Sequence, residues 1–296
     1  MDKPIRQRPL PTVSDAFGAT TQSLPLARRA LKKVPEVTIF FWIIKLLTTA
    51  LGESSADYLF HVFVLKPLIA IAIGAIGLIV ALILQLTTRH YVAWIYWFAV
   101  AMVAVFGTMA ADVAHVGLGV PYQAATAFFA AVLAVIFVTW YASEKTLSIH
   151  SIFTRRRELF YWGAVMATFA LGTAAGDLTA KTLGWGYFPS TLLFLAFIAI
   201  PALGYWKMGL NEILAFWFAY IVTRPLGASF ADWIGKSTLG GLGFGDGWVS
   251  LALALATIGF VSYLTVTRRI RRTNNAQFLC GASHVPLDTR AIQRVS

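Results

Sequence analysis

The 296-residue chain has one cysteine, Cys280, and thirteen acidic residues against twenty-four Lys and Arg. A single thiol excludes a disulfide within the chain and any cysteine-rich metal or redox centre. Charged residues make up only 12% of the sequence while 58% is apolar, a balance that excludes an ordinary soluble domain. No H-x-x-x-H, HExxH or CxxC spacing occurs, and the glycine-rich stretch 240–247 lacks the Lys-Ser/Thr that would follow in a phosphate-binding loop. Residues 1–34 are polar and basic, without the apolar core of a cleavable signal, so the first membrane helix is expected to act as its own insertion signal.

Long apolar runs are abundant. Eight are long enough to cross a hydrocarbon core of about 30 Å, which needs roughly 20 residues. They fall near 37–60, 66–86, 92–115, 123–142, 159–180, 188–206, 212–234 and 247–267. The basic excess of eleven sits in short clusters between these runs, which excludes a nucleic-acid surface and assigns the charge a topological role. Arg28, Arg29, Lys32, Lys33, Arg89, Lys145, Arg155, Arg156, Arg157, Lys207, Arg268, Arg269, Arg271 and Arg272 share one side, and only Lys66, Lys181 and Lys236 face the other. By the positive-inside rule both termini are expected in the cytoplasm. The domain reading is a basic segment 1–34, an eight-helix domain 35–267 and a basic, loosely ordered tail 268–296.

A repeat underlies the spans. Trp42–Gly52–Asp57, Trp97–Gly107–Asp112, Trp162–Gly172–Asp177 and Trp217–Gly227–Asp232 share the pattern W-x9-G-x4-D without an insertion. The repeats run approximately 35–88, 89–145, 157–207 and 210–267. Each holds an even number of helices, so all four enter the membrane from the same side. The expected architecture is all-α: eight transmembrane helices in four parallel two-helix repeats, with pseudo-fourfold, two-by-two symmetry about the membrane normal. The second helix of each repeat lacks charge across its centre and reads as lipid-facing scaffold, whereas the first carries the ionisable groups among small residues that permit close approach.

The four aspartates are the main chemical signal, because carboxylates inside a membrane are costly and four in register repel unless a cation, a proton or an arginine neutralises them. Glu53 lies one turn before Asp57 on the same face, so the two acids can share an ion. With Asp57, Asp112, Asp177 and Asp232, and with His61 and His115 as lesser candidates, this donor set suits a hard or borderline ion such as Mn²⁺, Mg²⁺ or Ca²⁺. Arg224, whose repeat equivalents are Thr49, Ala104 and Phe169, must pair: with Asp232 or a neighbouring aspartate as a counter-ion that tunes proton affinity, or in a static bridge ordering the bundle. Pro225 beside it predicts a kink and a gate. Thr48, Thr168 and Thr223 are expected to bond back to their own helix. The tryptophans read as interfacial belt or core packing, and Lys45 as a snorkelling side chain without a site role.

The segments KVPEVTIFFWIIKLLTTALGESSADY and FWFAYIVTRPLGASFADWIGK carry the tryptophan, small-residue cluster and aspartate of the repeat most fully. On residues 33 to about 267 the chain resembles a family of bacterial integral membrane proteins built of this repeat, whose function is unknown. The resemblance implies an eight-helix architecture in the bacterial cytoplasmic membrane and no activity. From the residues, the expected function is transport of a small inorganic cation, first a divalent metal such as Mn²⁺, with proton coupling, through an axial carboxylate-lined site. The alternatives are a cation or proton channel, a structural membrane protein, and an organic or anion transporter using Arg224. No enzyme is expected, since short loops leave no soluble domain and no nucleophile-base pair. No cofactor is expected beyond the metal as substrate; the partners are the bilayer, the ion and, as an open alternative, further copies of the chain.

Overall fold

A computed structural model describes residues 33–282, with side chains through 267. The helices are α1 (Ile39–Val62), α2 (Pro67–Thr87), α3 (Ala93–Asp112), α4 (Tyr122–Glu144), α5 (Arg155–Asp177), α6 (Tyr187–Met208), α7 (Glu212–Gly235) and α8 (Asp246–Ala282). All eight are long and apolar enough to span a bilayer, and no strand occurs among the described residues. The predicted spans match within a few residues, except that α8 runs on to Ala282. The first part of the predicted tail, 268–282, is therefore helical, and the rest of it, with most of the N-terminal basic segment, lies outside the described residues.

Local chemistry sets several boundaries. Asn211 caps α7 by accepting from the Ile213 and Leu214 amides, and Thr154 caps α5 by accepting from the Arg157 amide. Pro67 opens α2, where its missing N–H has no helical partner to lose. Gly209 closes α6 at φ +64°, a left-handed conformation that suits glycine. Helices α3 and α5 each pass into a π-turn directly after the repeat aspartate, at Val113–Gly117 and Leu178–Thr182, whereas α1 and α7 do not.

The odd helices form a closed inner ring in the order α1, α3, α5, α7 and back to α1. The even helices form an outer layer, each seated on the odd helix that follows it: α2 on α3, α4 on α5, α6 on α7, and α8 on α1. The helices of one sequence repeat scarcely touch; the packing unit straddles two repeats, and α8 against α1 closes the circle. Burial separates the layers: more than half of the apolar stretch of each odd helix is buried, against a third or less of each even one. Leu68, Ile76, Phe128, Val138 and Leu255 on the outer layer are exposed, which fits a lipid-facing collar.

The repeat glycine makes the ring. A Cβ on Gly107 would lie 2.6 Å from the Phe169 Cβ, one on Gly172 2.6 Å from the Arg224 Cβ, and one on Gly227 2.6 Å from the Thr49 Cγ2. One on Gly52 would overlap the Ala104 Cβ and sit 2.7 Å from the Ala104 carbonyl carbon. Each glycine thus meets the residue seven after the tryptophan in the next repeat, and the series closes from repeat four to repeat one.

At the tryptophan end, Lys33 places its ammonium 2.6 Å from the Glu158 carboxylate, whose other oxygen accepts from Gln85 at 3.2 Å; all three side chains are buried. This clamp joins the segment before α1 to α2 and α5, and neither Lys33 nor Glu158 stood out in the sequence as a buried partner. Glu158→Gln leaves the Lys33 ammonium without its counter-charge and is expected to lower stability by about 1.5–3 kcal/mol. Thermal unfolding in detergent reads this, and a change below about 0.5 kcal/mol would mean the pair is hydrated.

Candidate functional site

Every fourth residue of the odd helices faces the ring axis, so the axis is a stack of four-residue layers about 6 Å apart. Nearest the tryptophan end are Phe41, Tyr96, Tyr161 and Phe216, all buried. Lys45, Val100, Val165 and Tyr220 come next, then Thr49, Ala104, Phe169 and Arg224, then Glu53, Thr108, Thr173 and Ala228. All twelve of these are buried as well. The repeat aspartates Asp57, Asp112, Asp177 and Asp232 form the next layer; four residues further on, His61 and Val116 are exposed while Lys181 and Lys236 reach back to the aspartates. This end is the first that solvent reaches: the Asp57, Lys236 and Lys181 side chains are 18, 21 and 31% exposed. We call the aspartate end of the axis, which solvent reaches, the chamber; side chains fill the axis below it.

Arg224 floors the chamber. Its Nη2 donates to Glu53 Oε2 at 2.9 Å, to Thr173 Oγ1 at 2.8 Å and to Thr108 Oγ1. Nη1 donates to the Thr49 carbonyl at 2.9 Å and Nε to the Phe169 carbonyl at 3.3 Å. Thr108 and Thr173 also donate to Glu53 Oε2, at 3.0 and 3.1 Å. All four ring helices thus meet at one guanidinium with no exposed side-chain surface. The required partner of Arg224 is Glu53, not Asp232 or another aspartate. The reason is depth: Glu53 lies one turn nearer the Arg224 layer, on the adjacent ring helix α1. Pro225 sits inside an unbroken α7. Lys45 corrects a second expectation. It does not snorkel but is 1% exposed on the axis, because its helix face is covered by α5 and α7.

In the chamber, the Lys236 ammonium bridges Asp232 at 2.7 Å and Asp57 at 3.0 Å, joining the last repeat to the first. Lys181 pairs with Asp177 at 2.9 Å and contacts the Tyr122 hydroxyl at 3.2 Å. Asp112 is followed one turn later by Val116, and its buried Oδ2 finds no hydrogen-bond partner among the described residues. Burial opposes the charge of Lys236, yet the Asp232, Asp57 and Glu53 carboxylates outweigh it and hold the ammonium well above the usual lysine range. Lys236 stays charged at any physiological pH.

Carboxylate oxygens of Glu53, Asp57 and Asp232 lie within 4.8 Å of one another, close enough for one metal ion. Asp112, Asp177, His61 and His115 do not join that group. His115 belongs to the π-turn, where its Nδ1 meets the Val120 carbonyl at 2.8 Å and its ring stacks on Tyr122 at 3.6 Å. His61 is exposed and lines an off-axis cavity of about 590 Å³ with Tyr58, Asp246 and Trp248. Both histidines sit beyond the point where the ring opens. The missed functional candidate is Lys236, whose signal was its place four residues after an aspartate. Thr48, Thr168 and Thr223 bond back to Ile44, Val165 and Ala219, as expected.

No curated protein and no solved structure matches the chain. A family model described as Repeat of Unknown Function (DUF347) matches residues 40–91, 95–146, 160–209 and 215–270, and each match holds one inner-ring helix with the outer helix that follows it in the chain. With four tandem copies covering most of its length and setting both its ring and its axial layers, the chain belongs to this repeat family.

Proposed function

We propose that this multi-pass membrane protein transports a small inorganic cation, most readily a divalent metal such as Mn²⁺, with the aspartate layer as its binding chamber. The observation that carries this reading is a layer of four aspartates that solvent reaches at one end of the axis, above a buried, fully bonded hub. A site reached from one side is the arrangement of a carrier; a channel needs a continuous path, and the Arg224 hub interrupts it. Lys236 occupies the space between Asp57 and Asp232, so a bound ion would replace a tethered cation with a free one. Because the ammonium stays charged, it would leave by swinging toward the open end rather than by losing its proton. The anion and organic-substrate readings lack support from the hub, since the Arg224 nitrogens are all engaged. The protein is not an enzyme in this reading; it resides in a bacterial cytoplasmic membrane with both termini cytoplasmic, and self-association is left open.

The test is flux of divalent and monovalent cations into proteoliposomes, with and without a pH gradient. Wild type should show saturable divalent flux, Asp232→Asn should reduce it at least tenfold, and Lys236→Met should raise apparent metal affinity about tenfold, equivalent to about 1.4 kcal/mol. Absence of flux for every ion with folded protein would sink the reading, and linear, unsaturable flux would favour a channel.

A further inference from the structure

Lys236 is a monovalent cation that the chain supplies to its own chamber. Its ammonium sits 2.7 Å from Asp232 and 3.0 Å from Asp57, two of the three acids whose oxygens come within 4.8 Å of one another. An ion entering that group has to displace it, and the exchange is unequal for the two charge classes. A monovalent ion brings no more charge than the ammonium it removes, and it competes against a group that its own side chain holds at high effective concentration. A divalent ion brings twice the charge to the same carboxylates, and burial strengthens that difference.

The displaced ammonium has a second seat beside it. The Tyr187 side chain is buried, and its ring centre lies 5.7 Å from the Lys236 ammonium, within the range of a cation–π contact. Lys45 shows how closely a lysine settles on such faces in this protein, at 4.1 Å from the Phe169 ring and 4.3 Å from that of Tyr220. Tyr187 opens α6, and its amide donates to the Leu239 carbonyl at 3.2 Å, so the ring is fastened to the segment that follows Lys236. Phe188 meets Trp233 at 4.9 Å and packs the same helix start on α7.

Repeat three builds the same unit. Lys181 follows Asp177 by one turn, pairs with it at 2.9 Å, and meets Tyr122 through its hydroxyl at 3.2 Å and its ring at 5.4 Å. Tyr122 and Tyr187 each open the outer helix seated on the lysine's own ring helix. The equivalent positions on α1 and α3 hold His61 and Val116, so the unit belongs to α5 and α7. Of the two lysines, Lys236 is the one that bridges to a neighbouring helix and stands in the three-acid group.

We infer that Lys236 is a valence filter for the chamber, with Tyr187 as the face that receives its ammonium when a divalent ion enters. The filter rests on the cation reading and narrows its substrate to divalent ions. No bond is made or broken: Lys236 remains an ammonium, and its stem turns about single bonds. Tyr187 touches Lys236 rather than the cargo, so it is a positioning residue.

The test is calorimetric Mn²⁺ binding to the full chain in detergent, in choline chloride and again with Na⁺ replacing choline at the same ionic strength. Wild-type affinity should change less than twofold on the replacement. Lys236→Met should bind Mn²⁺ about tenfold more tightly in choline and lose at least fivefold of that in Na⁺, which can then enter. Lys236→Gln serves if the methionine variant does not elute as a folded species. Tyr187→Leu should weaken Mn²⁺ binding about fivefold, whereas Tyr187→Phe, which keeps the ring, should stay within twofold of wild type. In the Lys236→Met background Tyr187→Leu should change the affinity less than twofold. A Na⁺ effect of one size in wild type and in Lys236→Met overturns the filter and leaves the cation reading standing. A loss from Tyr187→Leu that persists without Lys236 overturns the receiving role of the ring. No Mn²⁺ binding by folded wild type removes the cation reading and the filter with it.

Discussion

Glu53→Gln is expected to destabilise the protein by about 3–5 kcal/mol, because it leaves the Arg224 guanidinium charged, buried and without a counter-ion. Arg224 has no exposed side-chain surface, and Glu53 Oε2 receives it together with both threonine hydroxyls. For a chain of this size the loss corresponds to a fall in unfolding midpoint on the order of 10 °C. Arg224→Met should cost a similar amount by stranding the carboxylate. The double substitution removes both charges and should recover at least half of either loss, since much of the single-variant penalty is the orphaned partner. Unfolding in detergent for the four proteins closes the cycle. Single variants within 1 kcal/mol of wild type would show that water screens the hub, and an additive double variant would show that the two residues do not act as a pair.

The second large effect concerns the ring glycines. Gly52→Val pushes a branched side chain into the Ala104 backbone, 2.7 Å from its carbonyl carbon even at the Cβ position. No rotamer relieves an overlap with main chain, so the helices must separate. The expected loss is at or above the upper end of the roughly 1–3 kcal/mol typical of overpacking. Gly107→Val should behave alike against Phe169. Two controls share the chemistry without the contact: a Cβ on Gly163 meets only Ile136 Cδ1 at 3.9 Å, and one on Gly259 meets nothing within 4 Å. Gly163→Ala and Gly259→Ala should fold as wild type does. Moving the small residue across, as Gly52→Ala with Ala104→Gly, should restore part of the loss relative to Gly52→Ala alone. Equal behaviour of ring and control glycines, judged by monodisperse yield and melting temperature, would mean that the ring contact does not govern assembly.

The sequence by itself determined the number and approximate positions of the spans, the repeat and the division into inner and outer helices. These depend on composition and on spacing along one chain, which bilayer thickness and helical rise translate directly into structure. The W-x9-G-x4-D spacing also placed the aspartates in one layer, because an equal offset in each parallel helix gives an equal depth. Only the tertiary structure decided what each group meets. Arg224 pairs with Glu53 across 171 residues, and the choice depends on which helix adjoins α7 in the ring. Gly52 looked like one of several small residues until the ring order set it against Ala104. Lys45 seemed able to reach water because the sequence does not say which helix faces are covered, and α5 and α7 cover its face. The outer helices leave their own repeats to pack on the next ones, an arrangement invisible in a linear pattern because either neighbour offers the same apolar surface. Spacing along a helix fixes depth and face; the partner on that face follows from closing four helices into a ring, where residues far apart in the chain come within hydrogen-bond distance.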